Sequence, residues 1–162
     1  MSKNDDIKIR FEKGLLEENF FEEYLIEKNY TYIKTGIDNF IKSENIHLNI
    51  NKNRFAFFRK LPDFLIKNKI PYFVEVKQIG KNNTTKLKEC DFNIYNEWNK
   101  HIKVCICFSS HYDKNLILVE LDEINYKWSS FEDGVYEDNP KKDKYKIIEI
   151  DKIENKTILK TI

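Results

Sequence analysis

Glycine, proline and arginine are scarce in this 162-residue chain, which has only four Gly, three Pro and three Arg. So few Gly and Pro exclude collagen-like and linker-rich architectures. No apolar run approaches the roughly 18 residues of a membrane-spanning helix, and the N-terminus lacks the apolar core of a signal peptide. We therefore expect a cytoplasmic protein with no membrane partner. Abundant Lys, Asn and Ile beside so little Arg is typical of AT-rich bacterial or phage genomes.

Cysteine and histidine are equally rare, with three of each and no spacing that is typical of a metal site. Cys105 and Cys107 lie within the apolar run 104–108, so we expect buried, reduced thiols there. No chemistry is assigned to the three scattered histidines, His47, His101 and His111.

The residues that are plentiful predict one folded domain over 1–162, because 41% of the chain is hydrophobic and 12 Phe and 9 Tyr supply a core. Alternating helix-like and strand-like patterns predict an α/β fold, a central mixed sheet flanked by helices. The core is expected over about 11–121, followed by a C-terminal addition with strands over 122–162. In chain order the predicted elements are a helix at 11–28, a short helix at 38–43, a strand at 54–59, a hairpin at 62–77, a helix at 86–100, strands at 103–109 and 116–121, an exposed loop at 132–138, and a strand at 145–150 paired with 157–162.

The hairpin carries the residues that suggest chemistry. Its apolar arms flank a polar turn, and a hairpin symmetric about Lys69 places Asp63 directly opposite Glu75. Side chains alternate along a strand, so Glu75 and Lys77 share one face. Two carboxylates and an ammonium group therefore converge. Carboxylate oxygens suit Mg²⁺, which binds phosphate and activates water, so the pattern indicates phosphodiester hydrolysis.

An acid-x-Lys triplet alone is weak evidence, since the chain also contains Asp6-Ile-Lys8 and Glu154-Asn-Lys156. Only Glu75-Val76-Lys77 ends an apolar strand and follows a Pro-Asp at hairpin distance. The alternative is an ordinary hairpin with a charge cluster on its solvated face. Two acids placed opposite each other count against it, because like charges there are destabilising.

The segment around the acid pair is basic. Residues 52–88 contain ten Lys and Arg against two acids, a net +8, which leaves −7 for the rest of a chain whose total is +1. Positive charge around a carboxylate cluster suits a polyanion, so nucleic acid is the expected partner, with a lysine-rich solvated surface as the alternative. The candidate contacts are Arg59, Lys60, Lys81, Lys86 and Lys88.

Pro62-Asp63, then Glu75-Val76-Lys77, then a helix and two strands resemble the PD-(D/E)XK nuclease superfamily, over roughly residues 14–121. Many members carry a glutamate on the first helix, in a pattern that opens with Gly and closes with Gly-Tyr. Here the pattern runs from Gly14 to Asn29-Tyr30, with Asn in place of the second Gly. Its spacing selects Glu18, and Glu17 is the rival one residue earlier.

The resemblance implies a restriction-endonuclease-like or resolvase-like core and a metal-dependent DNA endonuclease that leaves 5′-phosphate and 3′-hydroxyl ends. It implies that Asp63, Glu75 and the Val76 carbonyl bind Mg²⁺, for which Mn²⁺ substitutes. Glu18 would bind a second metal or a water of the first, and Lys77 would orient or deprotonate the attacking water. Some members place a polar residue and a Tyr one turn apart on the next helix, and here Asp91 and Tyr95 match that spacing. Gln78, from the preceding strand, is a third auxiliary candidate.

Two other hypotheses remain open. The same fold could serve as a catalytically silent module that binds nucleic acid or a protein, or the motif could be coincidental in a structural protein. The intact acids and lysine favour an enzyme, since a decayed site usually loses one of them. Many relatives act as homodimers, and the sequence identifies neither a dimer face nor a groove-reading motif that would define the substrate.

Overall fold

The computed structural model describes residues 3–35, 61–136 and 143–160, with side chains described for 12–35, 61–136 and 143–159. The predicted helix at 38–43 and strand at 54–59 lie outside the described residues. None of the described helices is long and apolar enough to cross a membrane. The helices are α1 (Lys3–Glu27), α2 (Glu89–Asn99) and α3 (Leu121–Lys127). The strands are β1 (Thr31–Lys34), β2 (Phe64–Lys67), β3 (Tyr72–Gln78), β4 (Thr84–Lys88), β5 (Val104–Ser110), β6 (Asn115–Glu120), β7 (Glu132–Val135), β8 (Lys144–Glu149) and β9 (Thr157–Lys160).

Six strands form the main sheet, in the order β1-β2-β3-β5-β6-β9. Among the described strands only β3 and β5 run parallel, because β4 and α2 form the crossover between them. One face packs on α1 through Phe21 and Leu25, which contact the cluster around Phe64 and Val74. The opposite face packs on α2 and α3 around Ile106. The predicted mixed sheet flanked by helices is confirmed.

The hairpin and its register are also confirmed. Strands β2 and β3 are antiparallel, with Phe64 opposite Val74 and Ile66 opposite Tyr72. Both pairs are centred on Lys69. Alternation explains the register, since Phe64, Ile66 and Val74 are all buried on the face that α1 covers.

A second sheet of three antiparallel strands, in the order β4-β8-β7, was not predicted from the sequence. The predicted helix at 86–100 is wrong before Glu89, because Thr84–Lys88 is a strand. Thr85 and Leu87 alternate onto the buried side of that strand, and Leu87 joins the core cluster of α2. The apparent helical spacing of Leu87 with the residues after it was a coincidence of two adjoining elements.

The C-terminal pairing is also corrected. Strand β8 pairs with β4 and β7, whereas β9 pairs with β6 at the edge of the main sheet, so the predicted pairing of 145–150 with 157–162 is wrong. The predicted loop at 132–138 contains β7 instead. Its Gly134 lies beneath the ring of Tyr145, where a Cβ atom would be 2.3 Å from the ring. The pattern of residues around Gly134 cannot show that it packs against Tyr145 on another strand. The division into a core over about 11–121 and a C-terminal addition over 122–162 stays a prediction.

Cys105 and Cys107 are buried as expected, while Cys90 is exposed. Burial is the main reason that the pKa of the Cys105 thiol is raised to about 11. Both buried thiols therefore stay protonated and pack as small apolar side chains.

Helix α1 ends at a left-handed residue, as the substitution of Asn for Gly in the sequence pattern suggested. Asn29 has φ 56°. The Tyr30 N–H donates to the Leu25 carbonyl at 2.9 Å, and the Asn29 N–H donates to the Ile26 carbonyl at 3.0 Å. These two bonds form the Schellman motif, which satisfies carbonyls at the helix end and turns the chain into β1.

Replacing Asn29 tests this termination. Asn29→Gly should leave the free energy of unfolding unchanged or slightly raised, whereas Asn29→Ala should lower it by about 1 kcal/mol, because a Cβ without a polar group disfavours positive φ. Urea denaturation followed by circular dichroism measures both. Equal losses in the two variants would show that the Asn side chain itself, and not the backbone conformation, stabilises the turn.

Candidate active site

The structure places Asp63 immediately before β2, at the point where the pairing of β2 with β3 stops. The last pair is Phe64 with Val74, and continuing the register places Asp63 opposite Glu75. Pro62 has no N–H to donate to a further pair. Its carbonyl accepts a hydrogen bond from the Thr35 hydroxyl, which ties this segment to the end of β1.

Beyond this point β3 has no paired residue of β2, and the Asp63 side chain accepts the hydrogen bond that a strand would accept. The Val76 N–H donates to Asp63 Oδ2 at 2.8 Å. The N–H and C=O of one strand residue point toward the same neighbouring strand, so the Val76 carbonyl is also directed toward the gap beside Asp63. One hydrogen bond therefore brings together the Asp63 carboxylate and the Val76 backbone.

Glu75 and Lys77 lie on the same face of β3, and the Lys77 ammonium donates to Glu75 Oε1. Glu75 is only 6% exposed. Glu75 and the Tyr95 hydroxyl on α2 are close enough for the glutamate to raise the pKa of Tyr95. The Lys77 ammonium lies 6.0 Å from the centroid of the Tyr95 ring. The buried glutamate thus lies beside both Lys77 and Tyr95.

Electrostatics in this cluster favour a cation. Burial raises the pKa of Asp63 well above its usual value, and the nearby Glu75 and Glu18 raise it further. The charged forms of these carboxylates therefore destabilise one another in the absence of a counter-ion. A cation placed between Asp63 and Glu75 would relieve that repulsion.

The neighbouring acids determine the protonation state of Lys77. Burial by itself lowers the pKa of Lys77, but the adjacent Glu75 and Asp63 outweigh it, and the pKa is raised above its usual value. In the metal-free protein Lys77 is therefore an ammonium group, whose charge is available to stabilise an anion. Burial, followed by Glu75 and Asp91, likewise raises the pKa of Tyr95 and keeps its hydroxyl a donor.

Glu17 and Glu18 have different surroundings. Glu18 lies close enough to Asp63 to raise its pKa, and Glu18 Oε2 is 3.9 Å from the Lys34 ammonium. Glu17 points elsewhere. It is 1% exposed, and its Oε2 accepts hydrogen bonds from the Ser109 hydroxyl at 2.6 Å and from the His111 N–H at 3.0 Å.

Glu17 Oε1 also lies 2.8 Å from Nδ1 of His111, a residue to which the sequence assigned no role. Glu17 therefore anchors α1 to the end of β5, and Glu18 is the glutamate on the side of the candidate site. The spacing of Glu17 with Phe21 and Leu25, which are both buried, was the signal that could have shown this in advance.

Of the remaining predicted residues, the structure describes Gln78, Lys81, Lys86, Lys88 and Asp91. Asp91 lies near the site, since its charge raises the pKa of Lys77, and Gln78 ends β3 with its carbonyl accepting from the Thr85 hydroxyl at 2.8 Å. Lys81 is exposed in the turn before β4. Arg59 and Lys60 lie outside the described residues.

Lys86 and Lys88 lie on the face of β4 opposite the buried Thr85 and Leu87. The Lys86 ammonium is 4.6 Å from the Tyr145 ring centroid and 5.6 Å from that of Tyr136. Lys88 lies 3.5 Å from Asp143 Oδ2. The structure thus engages both lysines in local contacts. Their role in binding nucleic acid stays a prediction.

The donor set fits a magnesium ion that keeps part of its water shell. Within residues 12–35, 61–136 and 143–159, no three His, Cys, Asp or Glu side chains form a ready metal cage. Mg²⁺ rarely uses such cages and commonly binds through one or two carboxylates and several waters. Asp63 and Glu75 supply the carboxylates, and the Val76 carbonyl adds a third oxygen directed toward the same gap.

No protein-family model matches the chain, and no curated protein is significantly similar in sequence. The fold resembles that of Hjc, a Holliday junction resolvase from the archaeal hyperthermophile Archaeoglobus fulgidus. That match covers 85% of this chain and 89% of the resolvase, with a TM-score of 0.50 and 10% identity. D212, a nuclease from a fusselovirus, matches 91% of this chain and 84% of its own at a TM-score of 0.44 and 9% identity. The likeness to Hjc therefore confirms the expected resolvase-like fold.

Neutralising Asp63 should stabilise the metal-free protein. Because its pKa is raised on folding, the native state binds this proton more tightly than the unfolded chain. Wild-type stability therefore falls as pH rises from about 3.8, the usual value, through the folded-state pKa. Asp63→Asn keeps an acceptor for the Val76 N–H and removes the charge. Its melting temperature in EDTA should exceed that of the wild type at pH 7, with the difference disappearing below pH 4.

Asp151→Asn, at an exposed aspartate, is the control and should show no such pH-dependent difference. A large loss of stability in Asp63→Asn at pH 7 would mean that the carboxylate charge is structural and not a latent cation site.

Glu17 and Glu18 should respond oppositely to truncation. Glu17→Ala leaves the buried Ser109 hydroxyl and the His111 N–H without their acceptor, so it should lower the free energy of unfolding by about 1–3 kcal/mol. Glu18→Ala removes a half-buried charge and should change it by less than about 0.5 kcal/mol. Urea denaturation in EDTA measures both, and the reverse order would contradict the assignment.

Proposed function

We propose that this protein is a metal-dependent nuclease that hydrolyses phosphodiester bonds, with DNA as its substrate. The observation that carries the proposal is the convergence of Asp63, Glu75, Lys77 and the Val76 backbone at the end of the β2–β3 hairpin. The likeness of the fold to a Holliday junction resolvase supports it.

Each residue has a role that follows from its contacts. Asp63, Glu75 and the Val76 carbonyl would hold Mg²⁺, and the bound ion would supply charge for the phosphate and an acidified water as nucleophile. The hydrogen bond from Val76 fixes one oxygen of Asp63 and leaves the other available. Burial and the nearby Glu75 raise the pKa of Tyr95, so its hydroxyl stays protonated beside that carboxylate.

Lys77 would move its ammonium from Glu75 to a phosphate oxygen, because a cation at Glu75 competes for the same carboxylate. As an ammonium group it would stabilise the charge that grows on the phosphate in the transition state. Glu18 would bind a second metal or a water of the first. The basic segment 52–88 would attract the polyanion over a longer range.

The substrate test follows from the neighbour that is a Holliday junction resolvase. Labelled four-way junctions, duplex DNA, single-stranded DNA and RNA would be incubated with Mg²⁺ or Mn²⁺, with EDTA as control. We expect cleavage of DNA that EDTA abolishes and that produces 5′-phosphate ends. Binding of DNA without cleavage under any metal condition would instead indicate a silent binding module.

Removing the ammonium gives the sharpest test of the mechanism. Lys77→Met should reduce cleavage by about 10²–10³-fold, the usual cost of losing one group that stabilises transition-state charge, while leaving DNA binding within a few-fold. Lys69→Met, at an exposed lysine in the turn of the same hairpin, is the matched control and should cleave like the wild type. Undiminished cleavage by Lys77→Met would contradict the role assigned here.

A further inference from the structure

Two lysines and two tyrosines form a cluster on one face of the second sheet. Lys86 and Lys88 are two residues apart on β4, so their side chains lie on the same face. Lys88 is paired with Tyr145 of β8, and Tyr145 is paired with Gly134 of β7. A Cβ atom at residue 134 would be 2.3 Å from the Tyr145 ring, so the glycine is what allows the ring to lie there.

The lysine ammonium groups are held over the tyrosine rings. The Lys86 ammonium lies 4.6 Å from the centroid of the Tyr145 ring and 5.6 Å from that of Tyr136. The Lys88 ammonium lies 5.4 Å from the same Tyr136 ring. The centroids of the two rings are 4.5 Å apart. Because a ring face attracts a cation, one pair of tyrosines restricts the positions of two flexible lysine side chains.

Two ammonium groups that share one ring repel each other. Asp143 Oδ2 lies 3.5 Å from the Lys88 ammonium and offsets one of the charges. Glu132 is on the same face, but it is paired with Ile147, which lies between it and Lys86. The β4 edge of this sheet is therefore its positive side, and an anion bound along β4 would reduce the repulsion between the two lysines.

This edge adjoins the candidate active site. Lys88 immediately precedes α2, and Asp91 lies in the first turn of that helix. Asp91 is close enough to Lys77 to interact with its charge. The N-terminal end of α2 thus connects the acid pair with the lysines of β4. A nucleic acid whose phosphate reaches the acid pair can continue along this end of α2 to the second sheet.

We propose that the β4 edge of the second sheet is an accessory surface for the phosphate backbone of DNA, on which Lys86 and Lys88 bind phosphates and Tyr136 positions both ammonium groups. This inference rests on the part of the proposed function that makes DNA the partner. Both rings already contact ammonium groups, and Tyr145 is only 9% exposed, so the surface contacts the backbone rather than stacking on bases. Such contacts carry no sequence information.

The experiment measures how DNA binding depends on salt, in EDTA and therefore without cleavage. A labelled duplex of mixed sequence is titrated with protein at several KCl concentrations, and fluorescence anisotropy gives Kd. Each phosphate contact adds about 0.9 to the slope of log Kd against log salt concentration. Lys86→Met/Lys88→Met keeps apolar stems over the rings but should lower that slope by about 1.8 and weaken binding. Lys86→Arg/Lys88→Arg keeps both charges and should keep the slope.

A matched control separates contact with phosphate from net charge. Lys100→Met/Lys103→Met removes the same two charges from exposed lysines that follow the C-terminal end of α2, where they pair with Glu97 and Glu120. Its slope should equal that of the wild type. A second duplex of unrelated sequence should bind the wild type with the same Kd.

The role of the ring is tested separately. Tyr136→Leu keeps both lysines but removes the ring, so Kd should rise several-fold with little change in slope. Tyr136→Phe keeps the ring and should bind like the wild type. An unchanged Kd in Tyr136→Leu overturns the positioning role of Tyr136.

The outcomes separate this inference from the proposed function. Equal Kd and slope in the wild type and Lys86→Met/Lys88→Met overturn the inference, and cleavage of DNA by both would leave the nuclease proposal intact. A lowered slope in a protein that never cleaves supports the inference and overturns the nuclease proposal. No binding by the wild type, or an equal loss of slope in the control, overturns the inference. If the double variant does not fold, Lys86→Met and Lys88→Met decide singly: a loss of about 0.9 in each supports it, and no loss overturns it.

Discussion

The hydrogen bond from the Val76 N–H to the Asp63 carboxylate is the interaction on which the site depends. Without this bond, the pairing of β2 with β3 would stop at Pro62 and the Val76 N–H would be unpaired in a half-buried gap. The cost would be comparable to that of a lost hydrogen bond. The side chain of Asp63 satisfies that donor, and in doing so it is drawn against Glu75. The same feature that completes the hairpin therefore creates a pair of carboxylates that repel each other.

The repulsion between these carboxylates lowers the stability of the folded protein at its candidate site. Burial and neighbouring acids raise the pKa of Asp63, while the Lys77 ammonium donates a hydrogen bond to Glu75. A cluster with more acids than bases is a cost to the folded protein. It is retained at a place where a divalent cation and a phosphate would restore the balance, which is typical of sites that are built for a ligand.

The scaffold holds these groups through long-range contacts. Buried Glu17 fixes α1 to the end of β5 through Ser109 and His111, so the next residue, Glu18, is directed toward the site. The second sheet packs on α2 and thereby supports Tyr95. A fold shared with a resolvase at 10% identity is physically reasonable, because strand order and core volume tolerate many substitutions of apolar side chains.

The sequence by itself determined what local periodicity controls. The turn at Lys69 and the alternation of its arms set the register, which brought Asp63 and Glu75 together, and Asn29 marked the end of α1. The sequence could not locate the second sheet, whose strands are 84–88, 132–135 and 144–149, because isolated short strands have no local signature of their partners. Tertiary structure alone decided that Ser109 and His111 are the partners of Glu17 and that Lys34 lies beside Glu18. Those contacts depend on packing between elements far apart in the chain, which no pattern of neighbouring residues records.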